Sequence, residues 1–123
     1  FGAFDGIVLP GGMPGTKNLE HCEELMKQVD AFVKDGKLVC AICAAPSILG
    51  HRGHLQGRKA TVYPGMEGEL TGAEWVADKA VTDGNIITAR GMGCAIAFGL
   101  AIIEKLKGKQ AADEMAQKVV YQL

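Results

Sequence analysis

The sequence has no excess of charge of either sign and no long hydrophobic run. Thirteen basic residues stand against 14 acidic ones, which gives a net charge of -1. This balance gives no reason to expect nucleic acid or an anionic membrane as a partner. The most apolar stretch, residues 94–103, is about half of the roughly 20 residues that a membrane-spanning helix needs. It therefore predicts a buried helix.

An N-terminal targeting signal and an initiating methionine are also absent. The chain opens with Phe1-Gly2-Ala3-Phe4-Asp5, which has neither a basic segment nor a long apolar one, and enters a predicted strand almost at once. We therefore expect the natural start of the protein to precede Phe1.

Four cysteines are present, and their surroundings favour free thiols over disulfides. Cys40 and Cys43 lie in one apolar run, and Cys94 begins an apolar helix, while the fourth is Cys22. Free cysteine is among the residue types most often buried, and free thiols persist in reducing compartments. The pattern predicts a cytoplasmic protein.

Apolar runs that alternate with helical stripes predict a single α/β domain over residues 1–123. Strands are predicted at 5–9, 37–42, 59–62 and 86–88, and helices at 19–34, 43–49, 94–107 and about 110–120. Loose alternation over 75–82 before Asp83-Gly84-Asn85 is typical of a hairpin. Strands and helices in alternation predict a parallel sheet with helices on both faces. The binding crevice of such a sheet lies at the carboxyl ends of its strands.

Three tight turns follow predicted strands, at residues 10–15, 42–45 and 90–93. The second carries most information, because Ala41-Ile42-Cys43-Ala44-Ala45 has the small neighbours that a nucleophile needs at a sharp strand-to-helix turn. The helix that follows favours a thiolate. The N–H of Ala44, with one from Gly11 or Gly12, is placed to form an oxyanion hole. The local spacing alone is equally consistent with a small buried cysteine.

Three segments together resemble the ThiJ/PfpI superfamily. They are Leu9-Pro10-Gly11-Gly12, Ala41-Ile42-Cys43-Ala44-Ala45-Pro46 and Thr88-Ala89-Arg90-Gly91-Met92-Gly93. The resemblance covers the chain in order and extends to the branch of the Parkinsonism-associated protein deglycase and bacterial YajL. It implies a flavodoxin-like fold, similar to class I glutamine amidotransferases, and usually a homodimer.

The same resemblance implies roles for individual residues. Cys43 would be an oxidation-sensitive nucleophile, and Gly12 and Ala44 would supply N–H groups to an oxyanion. Arg90 would lie beside the pocket, where a guanidinium can hold an anion. Tyr63 and Cys94 are candidates for lining this pocket.

Three functions follow from the resemblance. The first is cofactor-free deglycase or glyoxalase action on 2-oxoaldehydes or their adducts through Cys43. The second is a redox-sensing chaperone in which oxidative stress oxidises Cys43. The third is an inactive interaction module that keeps only the fold. Family members also often carry a thiazole-biosynthesis or protease label by similarity alone.

The chain departs from the family pattern in two ways. The family's N-terminal strands and helix, with a glutamate that tunes the cysteine, would precede Phe1, so residues 1–123 correspond to the C-terminal two-thirds. We expect that this chain is not independently stable and that an N-terminal fragment of the same protein covers the gap. Tyr63 stands where the human-type branch has histidine, and Ala44 where PfpI-type proteases have it. A protease is therefore disfavoured, because it needs a base beside the thiol.

The other potentially reactive or aromatic side chains are interpreted as structural. The histidines, His21, His51 and His54, are predicted at the surface, and His51 lies about 12 Å along a helix from Cys43. Cys40 forms a C-x-x-C pair with Cys43 but lies inside a strand, which favours core packing over a resolving thiol, and no metal site is predicted. Trp75 is predicted in the core or at a dimer surface.

Overall fold

The computed structural model describes residues 4–121. The residues at the two ends of the predicted domain, 1–3 and 122–123, lie outside the described residues. The strands are β1 (Gly6–Leu9), β2 (Leu38–Ile42), β3 (Lys59–Ala60), β4 (Glu74–Trp75), β5 (Ala80–Asp83) and β6 (Ile86–Ala89). The helices are α1 (Gly15–Glu20), α2 (Glu23–Lys34), α3 (Pro46–His51), α4 (Ala95–Lys107) and α5 (Lys109–Lys118). Two short 3-10 turns span Glu67–Glu69 and Met92–Cys94.

The main sheet has the strand order β1-β2-β6-β5. β1, β2 and β6 are parallel, as predicted, and β5 adds an antiparallel edge because it forms the predicted hairpin with β6. The short strands β3 and β4 pair in parallel as a separate two-stranded sheet. The predicted α/β architecture is therefore confirmed, with a mixed rather than a purely parallel sheet.

Two apolar clusters lie on opposite faces of this sheet, and β2 contributes to both. Val39 and Ala41 belong to the larger cluster, which includes Val29 and Phe32 of α2. Leu38 and Cys40 belong to the smaller cluster on the other face. Successive strand residues point to opposite faces, so a fully apolar strand needs cover on both. The prediction of helices on both faces is confirmed.

Several element boundaries differ from the predicted ones. The single helix predicted over 19–34 is two helices, because Cys22 adopts an extended conformation (φ -84°, ψ 98°) between α1 and α2. Its carbonyl still accepts the first bond of α2, from the N–H of Met26 at 3.0 Å. Glu23 and Glu24 then occupy the first turn of α2, where negative charge is favourable. Within the described residues, no helix is long and apolar enough to cross a bilayer.

Gly50 of α3 packs against the backbone of the turn at Glu67–Glu69. A β-carbon at Gly50 would overlap the carbonyl oxygen of Glu69 and lie 2.9 Å from the Cα of Leu70. We expect Gly50→Ala to lower the free energy of unfolding by about 1–3 kcal/mol, because rigid backbone must move to admit the methyl group. The urea midpoint of the full-length protein measures this.

The matched control is Gly99→Ala in α4, where a β-carbon has no neighbour within 4 Å. This change should raise stability by up to about 1 kcal/mol, since alanine favours a helix interior over glycine. Equal midpoints for the two variants would contradict the close packing of α3 on the turn.

Candidate functional site

The carboxyl ends of β1, β2 and β6 lie side by side in the sheet. Leu9 is paired with Ala41, and Ile42 is paired with Ala89. The loops that follow these strands therefore leave the same edge of the sheet as neighbours. This arrangement brings together Gly11, Cys43 and Arg90, which are distant in sequence.

Cys43 occupies a strained turn between β2 and α3. Its φ of 66° lies in the left-handed region, which costs a non-glycine residue roughly 1–2 kcal/mol. Two backbone hydrogen bonds hold it there: its N–H donates to the carbonyl of Ala89 at 3.0 Å, and its carbonyl accepts from the N–H of Tyr63 at 2.8 Å. The side chain is half-buried. This is the backbone geometry that presents a nucleophile at the top of an α/β sheet.

Gly11 lies directly against this turn. A β-carbon at Gly11 would overlap the β-carbon of Cys43, and would lie 2.6 Å from the carbonyl oxygen of Ile42 and 3.0 Å from the amide nitrogen of Ala44. Only glycine fits at this position, so the close contact with the Cys43 turn explains why residue 11 is glycine. The loop at Gly11 and the turn at Cys43 are therefore in direct contact.

The amide of Ala44 differs from its neighbours in having no backbone acceptor. The neighbouring amides are used, because Ala45 donates to Ile42 at 3.1 Å and Ser47 donates to Ala44 at 3.1 Å, while Pro46 has no N–H. Among residues 4–121, the Ala44 N–H donates to no backbone carbonyl. The carbonyl of Ala44 is fixed as well, since it accepts the Ser47 hydroxyl at 2.6 Å.

Gly12 is arranged in a similar way. Its carbonyl accepts both the N–H and the hydroxyl of Thr16, each at 2.8 Å. Its own N–H donates to no backbone carbonyl in the part of the chain that the structure describes. Its φ of 94° is left-handed, which glycine adopts without strain.

The helix predicted to begin at Cys43 begins instead at Pro46 and has six residues. The reason is the left-handed turn at Cys43, which a right-handed helix cannot include. A six-residue helix that starts three residues later stabilises a thiolate at Cys43 less than the predicted helix would. Single amides, such as that of Ala44, then supply the positive character beside Cys43.

Arg90 is half-buried and has a donor without an acceptor. Its Nε is buried and has no hydrogen-bond partner among the described residues. The carbon of its guanidinium lies 6.0 Å from the ring centroid of Trp75. A buried donor left unpaired costs roughly 1–3 kcal/mol, so an anionic or carbonyl oxygen bound there is stabilised.

Trp75 is 44% exposed and is the rim residue that the sequence did not predict. Of the two placements predicted for it, the one in the core is wrong, because β4 lies at the surface and the Trp75 ring lies 6.0 Å from the guanidinium of Arg90. The placement at a dimer surface stays a prediction. The spacing of Trp75 from Arg90 along the chain has no pattern that would have indicated this contact.

Tyr63 and Cys94 occupy different surroundings. Tyr63 is bonded to Cys43 through its backbone, and its half-exposed ring lies 3.7 Å from the position of a β-carbon on Gly91. It is therefore next to the site. Cys94, the other candidate for lining the pocket, packs against the smaller apolar cluster with Ile42 and Phe98.

Cys40, the buried cysteine, does not supply a second reactive thiol. All four cysteines are free. Cys40 is fully buried, and this burial raises the pKa of its thiol to about 12. A neutral buried thiol is a poor nucleophile and a poor resolving group. Its placement agrees with the core-packing interpretation.

The histidines of α3 and the segment after it lie away from Cys43, in a network of ion pairs. Arg52 and His54 both contact Asp30 of α2, at 2.8 and 2.6 Å. The Arg52 hydrogen bond is the main reason that the pKa of Asp30 falls to about 2. His51 contacts Glu20 and Glu69. Sequence placed these histidines at the surface but not in this network, because their carboxylate partners are remote along the chain.

A separate groove of about 560 Å³ lies between β5, α4 and α5. Lys79, Leu100 and Tyr121 are among its lining residues, and no predicted site residue lines it. This groove is therefore distinct from the predicted site at the carboxyl edge of the sheet.

Comparisons with known proteins find a family model and several relatives that match this chain. The model described as DJ-1/PfpI family matches residues 1–105. Protein DJ-1 homolog A of Arabidopsis thaliana is 46% identical over 116 residues, which cover 92% of this chain and 30% of that protein. The glutathione-independent glyoxalase DJR-1.2 of Caenorhabditis elegans is 32% identical over 114 residues, which cover 91% of this chain and 60% of that protein.

The crystal structure of Drosophila melanogaster DJ-1beta matches the fold closely. Its TM-score is 0.89 at 38% identity, and the match covers 98% of this chain and 66% of that one. This chain therefore spans under two-thirds of the length of these relatives, and about a third of the Arabidopsis protein.

Proposed function

Because the chain belongs to the DJ-1/PfpI family, we propose that it is a cysteine-dependent protein of the glyoxalase or deglycase type. It acts through Cys43 on 2-oxoaldehydes or their adducts. The observation that carries the proposal is the left-handed turn at Cys43, which packs against Gly11 and is followed by the unbonded amide of Ala44. The name of the C. elegans relative, a glutathione-independent glyoxalase, supports this class of reaction.

The proposed reaction begins with a bond between the Cys43 sulfur and the aldehyde carbon. The resulting hemithioacetal oxyanion accepts hydrogen bonds from the amides of Ala44 and Gly12, which need no reorganisation at that moment. Arg90 holds the oxygen of the adjacent ketone through its unpaired Nε–H. Transfer of hydrogen from the first carbon to the second gives a thioester. Water hydrolyses the thioester, releases the 2-hydroxyacid and restores the thiol, so the net change is the addition of one water.

We also propose that the site is completed by an N-terminal segment of the same protein and that the protein is a homodimer. Support comes from the edge strand β1, whose Val8 is 52% exposed. An exposed apolar side chain on an open sheet edge is unfavourable unless another segment covers it.

Cys43 should react with iodoacetamide at pH 7 about tenfold faster than the exposed Cys22 of the same molecule. In the proposed site the amide of Ala44 donates to the Cys43 sulfur when that sulfur reacts, whereas Cys22 lies exposed in the junction between α1 and α2. Peptide mass spectrometry after timed labelling of the full-length protein separates the two thiols, and Cys43→Ser identifies the Cys43 signal.

Equal rates at the two thiols would contradict the proposal and favour an inactive interaction module. A fast Cys43 without conversion of methylglyoxal to lactate in the absence of glutathione would instead favour the redox-sensing chaperone. Peroxide-dependent protection of a client protein from aggregation tests that alternative.

A further inference from the structure

His51 joins three elements at the end of α3 opposite the site. Its Nδ1 lies 2.6 Å from a carboxylate oxygen of Glu20, the last residue of α1. Its Nε2 lies 3.2 Å from a carboxylate oxygen of Glu69, in the 3-10 turn. Both ring nitrogens therefore face carboxylates from different parts of the chain.

The two helices that meet at His51 begin at the candidate site. α1 starts three residues after Gly12, and Thr16 joins it to the Gly12 carbonyl by two hydrogen bonds. α3 starts just after Ala44, and Ser47 ties it to the Ala44 carbonyl by two more. The near ends of α1 and α3 thus carry the two unbonded amides, and their far ends are joined by His51.

We propose that His51 is a positioning residue, which in its charged form clamps α1 to α3 and so fixes the spacing of the Gly12 and Ala44 amides beside Cys43. The clamp itself depends only on the contacts of His51 with Glu20 and Glu69. What the amides do for Cys43 rests on the proposed function.

The protonation state of His51 decides whether the clamp closes. An imidazolium donates a hydrogen bond from each ring nitrogen, whereas a neutral ring donates from only one and turns a lone pair toward the other carboxylate. The hydrogen bond to Glu20, and then that to Glu69, raises the pKa of His51 above its usual 6.5. The clamp is therefore complete below about pH 6.5 and is lost as pH rises through the raised value of the folded state.

Each element that packs near His51 contributes charged groups. Glu20 comes from α1 and Glu69 from the 3-10 turn. Arg52, next in the chain, is bound to Asp30 of α2, which also contacts His54. Asp30, with its pKa at about 2, and Arg52, with its pKa raised chiefly by Asp30, keep their charges from pH 5 to 9.

The test compares alkylation of Cys43 in the wild type and in His51→Gln, on the full-length protein, at pH 6 and at pH 9. Rates are divided by those of N-acetylcysteine to remove the intrinsic pH dependence of a thiol. At pH 6 we expect Cys43 of the His51→Gln protein to be alkylated about threefold more slowly than Cys43 of the wild type. A change of this size is typical when a partly exposed charged group at a helix end is lost. At pH 9 the two proteins should converge, because the wild-type clamp is then open.

The matched control is His54→Gln, which breaks a similar imidazole–carboxylate contact that reaches α2 and not α1. It should follow the wild type at both pH values. Glu20→Gln serves as a second variant if His51→Gln does not fold, and thermal unfolding of each variant verifies the fold. We expect Glu20→Gln to reproduce the loss at pH 6.

A ratio of wild-type to His51→Gln rates that stays the same at both pH values would overturn the clamp, because a merely structural role does not depend on the charge of His51. A wild-type Cys43 that reacts no faster than N-acetylcysteine would remove the proposed function. In that event the pH dependence of the ratio still decides the clamp.

Discussion

Gly11→Ala is expected to reduce 2-oxoaldehyde conversion by about 100-fold or more and to lower the free energy of unfolding by about 1–3 kcal/mol. The added methyl group would overlap the β-carbon of Cys43 and lie 2.6 Å from the carbonyl of Ile42. Relief requires the turn to move away from the glycine loop, and this separates the two proposed amide donors. Initial rates of lactate formation and urea midpoints measure the two effects.

Gly15→Ala is the matched control for Gly11→Ala. Gly15 lies four residues further along, begins α1, and has open space where its β-carbon would be. It should retain activity and stability. A Gly11→Ala protein with wild-type rates would show that the loop and the turn need not touch, and would remove the basis for pairing their amides.

Substitutions of Cys43 are expected to separate activity from stability. Cys43→Ala and Cys43→Gly should both lower 2-oxoaldehyde conversion by about 10³-fold or more, since each removes the sulfur nucleophile. Cys43→Gly should also be about 1 kcal/mol more stable than Cys43→Ala, because glycine adopts a φ of 66° without the steric cost that alanine pays. Calorimetric melting of both variants, beside the activity assay, measures this difference.

Cys40→Ala is the comparison for a cysteine in the core. Cys40 is fully buried in the smaller apolar cluster, so its loss should lower stability while activity persists in the folded fraction. Full activity in Cys43→Ala would refute the nucleophile. A Cys43→Gly protein less stable than Cys43→Ala would refute the strain at the turn.

The architecture was accessible from the sequence because it depends on local patterns. The continuous apolar run at β2 predicts a strand covered on both faces, and Val39 and Cys40 do point to opposite clusters. The Asp83-Gly84-Asn85 turn predicts the hairpin of β5 and β6. Small residues around Cys43 indicate a sharp turn, and the strand ends indicate which turns meet.

The parts that sequence did not predict depend on contacts between remote segments. Two hydrogen bonds hold the left-handed conformation at Cys43, one donated to the carbonyl of Ala89 and one accepted from the N–H of Tyr63. This conformation shortens the expected helix. The contact of His51 with Glu20 spans 31 positions, and no local rule pairs them. Trp75 meets Arg90 because β4, paired with β3 at the surface, places its ring 6.0 Å from the guanidinium.

Trp75 is also the only tryptophan in the sequence. Its indole, half-exposed beside the guanidinium of Arg90, places the main ultraviolet chromophore of the protein at the rim of the site instead of in the core. The intrinsic fluorescence of this protein therefore originates where a ligand of Arg90 would arrive. We expect emission recorded without any label to change when a ligand binds beside Arg90.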